Sequence, residues 1–597
     1  MAFVRIMVLI WADMLATYVT WIMQKYLTDV WDVGFTRAAG IMNVYTGLSK
    51  TVPLFLFLFV DCGMDNFWIL LVSSIAFSTG LGFLSMSTPP VLHKLTHTCS
   101  DYQPNCIGHT QKALLYTGLV LTAVGVSGHI VSLVAFALDQ LQRKPVDDNA
   151  NYDRPQNLIG HPVRLAQMIL NQGKTDADSS TALVPPASVT EYRRQQPTNT
   201  LEENLSKLQF QPLEAMLKLV NSQKERNGGT IKDWRVWGIM FVLIVAAGVL
   251  IGLPYIKPWK LRFGIPAICT LVATLAFSLC AHKYEDSKLG FKYSKCKYTS
   301  LFWINRSWNR AVIRLRTQSE ERQVLIRMLP IWITCIICGV VTSIGNTYFV
   351  EQANHMNYQV GILKFPDSIL LMLYAAAKKF FKWVYDCVSN CLERAGRKKY
   401  APAFGIALAT IFSALSCVIA AIVETQRIHV IRNHGLSDKP DEEIPMTVFI
   451  LVPQFLLLGG MDSFYENSVT PFLNDQSPPS MKRYLIYLSP GLSGLGIIGS
   501  VLSVYVVGEI SKKGGKTSWF QHDLNNSRLD YYYWVLAGLS TANLIWYVVM
   551  AILFPFPYRQ PVSRDTQADG TGKSGPNEGQ NINGTVISFF KANEGIL

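Results

Sequence analysis

The chain has 597 residues, 50% of them hydrophobic and only 16% charged, with a formal net charge of +13. Separate apolar runs alternating with basic loops are the composition of a polytopic membrane protein, in which Lys and Arg report topology. The basic residues form no continuous face, which excludes nucleic acid as a partner.

Residues 1–26 are apolar for too long, and lack the small-residue cleavage site, to be a signal peptide; they read as a first span. Length and apolarity predict twelve helices, at roughly 3–26, 38–60, 67–88, 113–138, 234–256, 263–282, 329–350, 367–388, 402–423, 445–466, 484–508 and 531–555. An even number puts both termini on one side. Arg143, Lys144, Arg193 and Arg194 after the fourth span, residues 292–327 after the sixth, and Arg394, Arg397, Lys398 and Lys399 after the eighth make that side cytosolic. Lys257, Lys260, Arg262, Lys512, Lys513 and Lys516 fall on the opposite side and run against this orientation.

The expected organisation is a first bundle in two pieces, 1–141 with helices one to four and 233–282 with helices five and six. Between them lies a polar cytosolic insertion, 142–232. Its first part has a disordered composition, whereas Leu201, Leu205, Leu208, Leu213, Met216, Leu217 and Val220 recur at helical spacing and predict an amphipathic helix near 201–224. A basic cytosolic linker, 283–328, leads to the second bundle, 329–558, and a disordered cytosolic tail, 559–597.

Lys378, Lys379 and Lys382 interrupt the eighth span, so that helix is expected to leave the bilayer there. Most of the cysteines lie inside apolar runs and pack as small hydrophobes; Cys335 and Cys338, a CxxC with no second pair or His nearby, read as packing and not as a metal site. Cys99 and Cys106 share a polar loop, where they either pair, if the loop is non-cytosolic, or stay free thiols. Asn525-Asn526-Ser527 is a glycosylation sequon on the expected outer side, and Asn583-Gly584-Thr585 one on the cytosolic side, where it is silent.

The most informative stretch is 445–481. It begins as a span, then sets Asp462 and Glu466 one helical turn apart on one face. A carboxylate at mid-bilayer costs about 2.5–3.5 kcal/mol on insertion scales, so it normally faces a bundle interior or a watery cavity. That makes a transport pathway the first expectation; the alternative is two acids hydrated at a helix end. His129 either titrates within the membrane or stays neutral, bonded to a neighbouring helix that Gly125 and Gly128 allow to approach. Tyr18, Trp11 and Trp21 are substrate contacts or packing. No phosphate-cradling glycine loop, paired zinc site or nucleophile elbow has its required context, so neither an enzyme nor a cofactor is expected.

Several segments resemble the plant nitrate and peptide transporter family, a branch of the proton-coupled oligopeptide transporters. WFQHDLNNSRLDYYYWVLA at 519–537 is similar to the family's NLN and HLDYFYWLLA run before its last helix. LVPQ at 451–454 with Gly459, FGIPA at 263–267, LPIW at 329–332, Tyr385-Asp386, Val423-Glu424 with Arg427, Tyr26-Leu27-Thr28 and residues 38–47 also fit, in the family's order. The resemblance implies the major facilitator superfamily fold: an all-α membrane protein with twelve transmembrane helices in two six-helix bundles. A central cavity then opens alternately to either side, carrying nitrate, short peptides or related plant metabolites, usually with protons. Asp462 stands where the family has a cavity-lining Glu.

The departures bear on coupling. The family's ExxER positions in helix one are Ile10, Asp13 and Met14 here; its helix-four Lys is Ile130, beside His129; the Glu of its EFFY segment is Pro471; and Asn66 replaces a loop basic residue. Asp13, isolated in an apolar bundle, is expected to remain a neutral hydrogen-bonding group, which weakens proton coupling unless His129 and Asp462 take over the relay. The reading is a secondary transporter working by alternating access in the plasma or vacuolar membrane, with Asp462, Glu466, Asp13, His129 and Tyr18 as its binding and coupling candidates. Its partners are a small-molecule substrate, protons and the lipid bilayer. The alternative is a transport-inactive relative serving as a membrane sensor or regulator.

Overall fold

Ten long helices carry the described part of the chain. They are α1 (Phe35–Asp61), α2 (Asn66–Met86), α3 (His109–Gln142), α4 (Trp259–Ser278), α5 (Ser319–Asn354), α6 (Ile369–Arg394), α7 (Ala401–Asn433), α8 (Val452–Gln476), α9 (Leu485–Ser511) and α10 (Leu529–Leu553). The computed structural model describes residues 18–20, 22–61, 64–96, 99–142, 258–279, 319–360, 363–364, 369–437, 442–477, 482–513 and 515–553, together with 9, 13, 256 and 439. All belong to one unit, Met1–Pro557; the second unit, Tyr558–Leu597, lies outside the described residues, as do the predicted fifth span, the insertion helix near 201–224 and the second sequon.

Nine of the described helices are long and apolar enough to cross a membrane. Only helices and closed barrels satisfy every backbone donor and acceptor inside lipid, so apolar runs of this length become helices. The exception among the ten is α6, whose lysines lower its hydropathy. The helix continues unbroken past Lys378, Lys379 and Lys382 to Arg394. Lys378 is held within the protein by a carboxylate.

Two boundaries shift for physical reasons. The predicted tenth span began at 445, but Ile444–Thr447 is extended, pairing in parallel with Met356–Asn357, and Val448–Leu451 is a 3-10 turn. α8 therefore starts later and runs ten residues beyond Glu466, through Pro471, which places Asp462 near its middle instead of its end. The predicted ninth span stopped at 423, whereas α7 reaches Asn433 because the two charges that follow neutralise each other. Arg427 donates to both oxygens of Glu424, at 2.8 and 2.7 Å, and both side chains are fully buried. The linker expected over 283–328 gives way to helix at Ser319.

The packing forms two halves. In the first, α2 lies against α3 and α4, and α3 against α1. Tyr26, Phe77, Leu119 and Phe263 sit at the heart of its core. In the second, α7 packs on α8 and α10, α6 on α8, and α5 on α9 and α10. Helices α1 and α9 run alongside each other across the halves, with Asn43 donating to Ser500 Oγ at 3.3 Å, Thr51 to Gly491 O at 3.3 Å, and Phe57 stacking near Tyr484 and Tyr487. A second crossing links Gln24 Nε2 to Thr347 O and Glu351 Oε2, at 3.3 and 3.1 Å.

Cys99 and Cys106 form a disulfide in the loop before α3. Tyr102, in the same loop, accepts a hydrogen bond from the Lys260 backbone at 3.2 Å, so this loop and the start of α4 share one end of the bundle. Cys335 and Cys338 are buried in the core of the second half. The outer sequon is overturned as a glycan site: Asn525 is buried, with Oδ1 accepting from Arg427 at 3.1 Å and Nδ2 donating to Leu436 O at 3.3 Å.

Candidate functional site

Asp462 is 7% exposed and hydrogen-bonded on both carboxylate oxygens. Thr342 of α5 donates to Oδ1 at 2.8 Å, and the hydroxyl of Tyr374 of α6 donates to Oδ2. One turn further along both helices, Lys378 Nζ meets Glu466 Oε1 at 2.8 Å. The two acids of α8 thus share a face turned to α6, and Gly459 makes that approach possible. A Cβ there would stand 2.9 Å from Ala377 Cβ and 3.0 Å from Tyr374 O.

Lys50 of α1 faces this group from the other half. It is half-buried against Gly494 of α9, lies within electrostatic range of Asp462, Glu466 and Lys378, and forms no ion pair among the described residues. Lys50, Tyr374 and Thr342 were not singled out from sequence. Lys50 carried a usable signal as the single charged side chain within the predicted 38–60 span, since an intramembrane cation marks a pathway. Tyr374 and Thr342 carried none, being ordinary residues of apolar helices.

A second polar group lies within the first half. His129 Nδ1 is 2.6 Å from Asp13 Oδ1, and its Nε2 is 2.9 Å from Ser74 Oγ on α2. This corrects the picture of an isolated Asp13: the acid is only 13% exposed and is held by an imidazole from a helix remote in sequence. Gly125 and Gly128 lie directly against Phe77 and Ser73, which lets α3 close on α2 and delivers His129 to Ser74. Tyr18 is buried among the apolar side chains of the first half. Among the described residues no three His, Cys, Asp or Glu side chains gather to hold a metal ion.

A charge group inside a two-half helical bundle is the arrangement of a solute pathway. The family model of the POT family, PTR2, matches residues 292–520. NRT1/PTR FAMILY 5.5 of Arabidopsis thaliana is 29% identical, over 91% of this chain and 95% of the relative. NRT1/PTR FAMILY 8.2 of the same plant is 33% identical over 41% of this chain and 43% of its own. The chain thus resembles the POT family along nearly all of its length.

Its relatives along nearly the whole chain are membrane transporters of small solutes and not enzymes, and its fold is the all-α major facilitator type. An auto-inhibited POT family peptide transporter aligns with a TM-score of 0.54, covering 94% of this chain and 99% of that one at 14% identity. A peptide transporter POT in complex with sulfate aligns at 0.53, over 93% and 94%, with 11% identity.

The residues that carried the family resemblance meet in space. Gln352 of α5 donates to Glu424; Gln454 of the LVPQ segment donates to Gln352 at 3.2 Å; and Leu524 O and Asn525 of the NLN segment accept from Arg427, both at 3.1 Å. These marks build a buried clamp joining α5, α7, α8 and the loop before α10. They hold the scaffold.

Proposed function

We propose that this chain moves nitrate, a short peptide or a related plant metabolite by alternating access, binding it between Lys50 and the α6–α8 group. One observation carries the reading: a cation of the first half set opposite Asp462, Glu466 and Lys378 of the second. A solute bridging them contacts both halves, so their relative movement and its release are coupled.

The two acids have different parts. Asp462, fixed by two hydroxyls, is pre-organised and positions a cationic or donor group of the solute. Glu466 is partly exposed, and its pair with Lys378 exchanges readily because water screens it. An anionic group can take Lys378 and Lys50 while Glu466 turns away. On the proton side, the Asp13–His129 contact stands in for the relay implied by the family's helix-one and helix-four residues: an acid and an imidazole lie 2.6 Å apart, within hydrogen-bond reach, and Ser74 fixes the ring. The resident membrane, plasma or vacuolar, is decided by imaging a tagged protein.

The test is uptake into proteoliposomes at clamped potential, at external pH 5.5 and 7.5, across a panel of nitrate, dipeptides and organic anions. Saturable flux reduced in Lys50→Gln and Asp462→Asn supports the site. Acid stimulation lost in Asp13→Asn and in His129→Gln supports the proton pair. Saturable flux that is indifferent to all four substitutions removes the proposal, and partner binding without flux replaces it with the regulator.

A further inference from the structure

The cytosolic half of α6 carries a feature that transport does not use. Cys387 and Cys391 are both exposed free thiols one turn apart. At 3.6 residues per turn, Phe380, Trp383, Cys387, Cys391 and Arg394 fall within a stripe about 80° wide. Phe380 and Trp383 are 55% and 62% exposed, and Met372, one position beside the stripe, is 61% exposed. Large apolar side chains left uncovered on a membrane helix face lipid, so the two thiols continue a lipid-facing surface.

Their depth follows from the fold. The disulfide loop shares an end with the start of α4, where Trp259 packs on Tyr26. Neighbouring Gln24 bonds Thr347 and Glu351 near the end of α5, and α6 begins shortly after that end. A disulfide belongs to a non-cytosolic compartment, so α6 starts on the outer side. Cys387 and Cys391 lie 18 and 22 residues after Ile369, about 27 and 33 Å along the helix at 1.5 Å per residue, against a hydrocarbon core of about 30 Å. They straddle the cytosolic boundary. Arg394, Arg397, Lys398 and Lys399 follow at once, where basic side chains meet anionic headgroups.

We infer that Cys387 and Cys391 form a paired S-acylation site for long-chain fatty acyl groups on the cytosolic end of α6. Exposed thiols at a membrane boundary beside basic residues are what such acyl transfer requires. The donor is a long-chain acyl thioester presented by a membrane acyltransferase. The cysteine sulfur, on losing its proton, attacks the acyl carbonyl carbon; the new thioester forms as the donor's C–S bond breaks, and the departing thiolate takes the proton. No electrons change hands, and a free thiol restores the cysteine by the reverse exchange. Each chain then lies along the surface already lined by Trp383 and Phe380. Acylation pins the cytosolic end of the helix that carries Tyr374 and Lys378.

The full chain is expressed in plant cells fed an alkyne-tagged palmitate analogue, purified, and treated with neutral hydroxylamine, which cleaves thioesters. Expected are hydroxylamine-released label, a doubly acylated peptide containing Cys387 and Cys391 by mass spectrometry, about half the label in Cys387→Ser or Cys391→Ser, and near-complete loss in the double variant. Cys62→Ser/Cys280→Ser/Cys296→Ser, altering positions outside the described residues, keeps the label. The inference is overturned by a parent protein with no hydroxylamine-sensitive label, or by label kept in the Cys387→Ser/Cys391→Ser variant. The peptide mass of the parent decides the matter even if a variant fails to accumulate.

Discussion

Lys378 Nζ lies 2.8 Å from Glu466 Oε1, about one turn beyond the Tyr374–Asp462 hydrogen bond on both helices. Two acid contacts of different strength are thereby stacked along one helix pair, the buried one satisfied by hydroxyls and the more exposed one by a cation.

Asp462→Asn keeps the size of the side chain but removes the charge that two hydroxyls are arranged to meet. Charge-assisted hydrogen bonds are roughly twice as strong as neutral ones, and a loss of about 1.4 kcal/mol in the rate-limiting state is about tenfold in flux. Uptake is expected to fall at least that far while surface abundance stays near the parent's. Tyr374→Phe, which withdraws one of the two donors, is expected to fall between them. Parental flux in Asp462→Asn would show that the carboxylate only braces α5 against α6.

The Glu424–Arg427 pair gives the opposite result. Removing one member of a buried ion pair strands the other charge, at a cost of about 3–5 kcal/mol. Arg427→Met and Glu424→Gln should each lower the detergent melting temperature and the yield of folded protein. Replacing both residues with apolar ones should recover part of the loss, as measured by fluorescence-detected size exclusion during heating.

Asn525 carries a sequon but spends both ends of its amide on Arg427 and Leu436. Treatment with an amidase that removes N-linked glycans should leave the mobility of the full chain unchanged at this position. Asn525→Asp is expected to destabilise the protein without any loss of glycan. Glycopeptides mapped to Asn525 would contradict the buried loop.

His522 joins the loop after α9 to the turn before α1. Its Nδ1 lies 3.2 Å from Asp523 Oδ1 and its Nε2 3.2 Å from Asp32 O, with Asp32 in the left-handed region at φ 49°. The Asp523 hydrogen bond, then Asp32, raise the imidazole above its ordinary value of 6.5. A raised folded value means that the protonated form stabilises the fold: the contribution is fully present below 6.5 and is lost as pH climbs through the raised value. The melting difference between parent and His522→Gln should therefore be visible at pH 5.5 and vanish by pH 8.5. The effect is small because the side chain is largely exposed to screening solvent. A difference that grows with pH would reverse the assignment.

Hydropathy alone located nearly every described helix, because the energy of placing side chains in lipid depends on composition over about twenty residues and not on any partner. It also identified Asp462 and Glu466, because a carboxylate in such a run is costly wherever the rest of the chain lies. It could not see that one of the three lysines of α6 is paired with Glu466. It likewise stopped α7 short, since Glu424 looks like a boundary until Arg427 is seen to cancel it.

Pairings belong to another level. Asp13 and His129 are 116 residues apart, and Arg427 and Asn525 are 98 apart. Which side chains meet depends on how each helix is rotated about its own axis, and that rotation is set by packing against every neighbour at once. The sequence by itself determined that this is a helical membrane protein with acids in its interior and a family signature along its length. Only the tertiary structure decided that Lys50 faces those acids, that Asp13 has a histidine, and that the signature residues close on one another as a clamp.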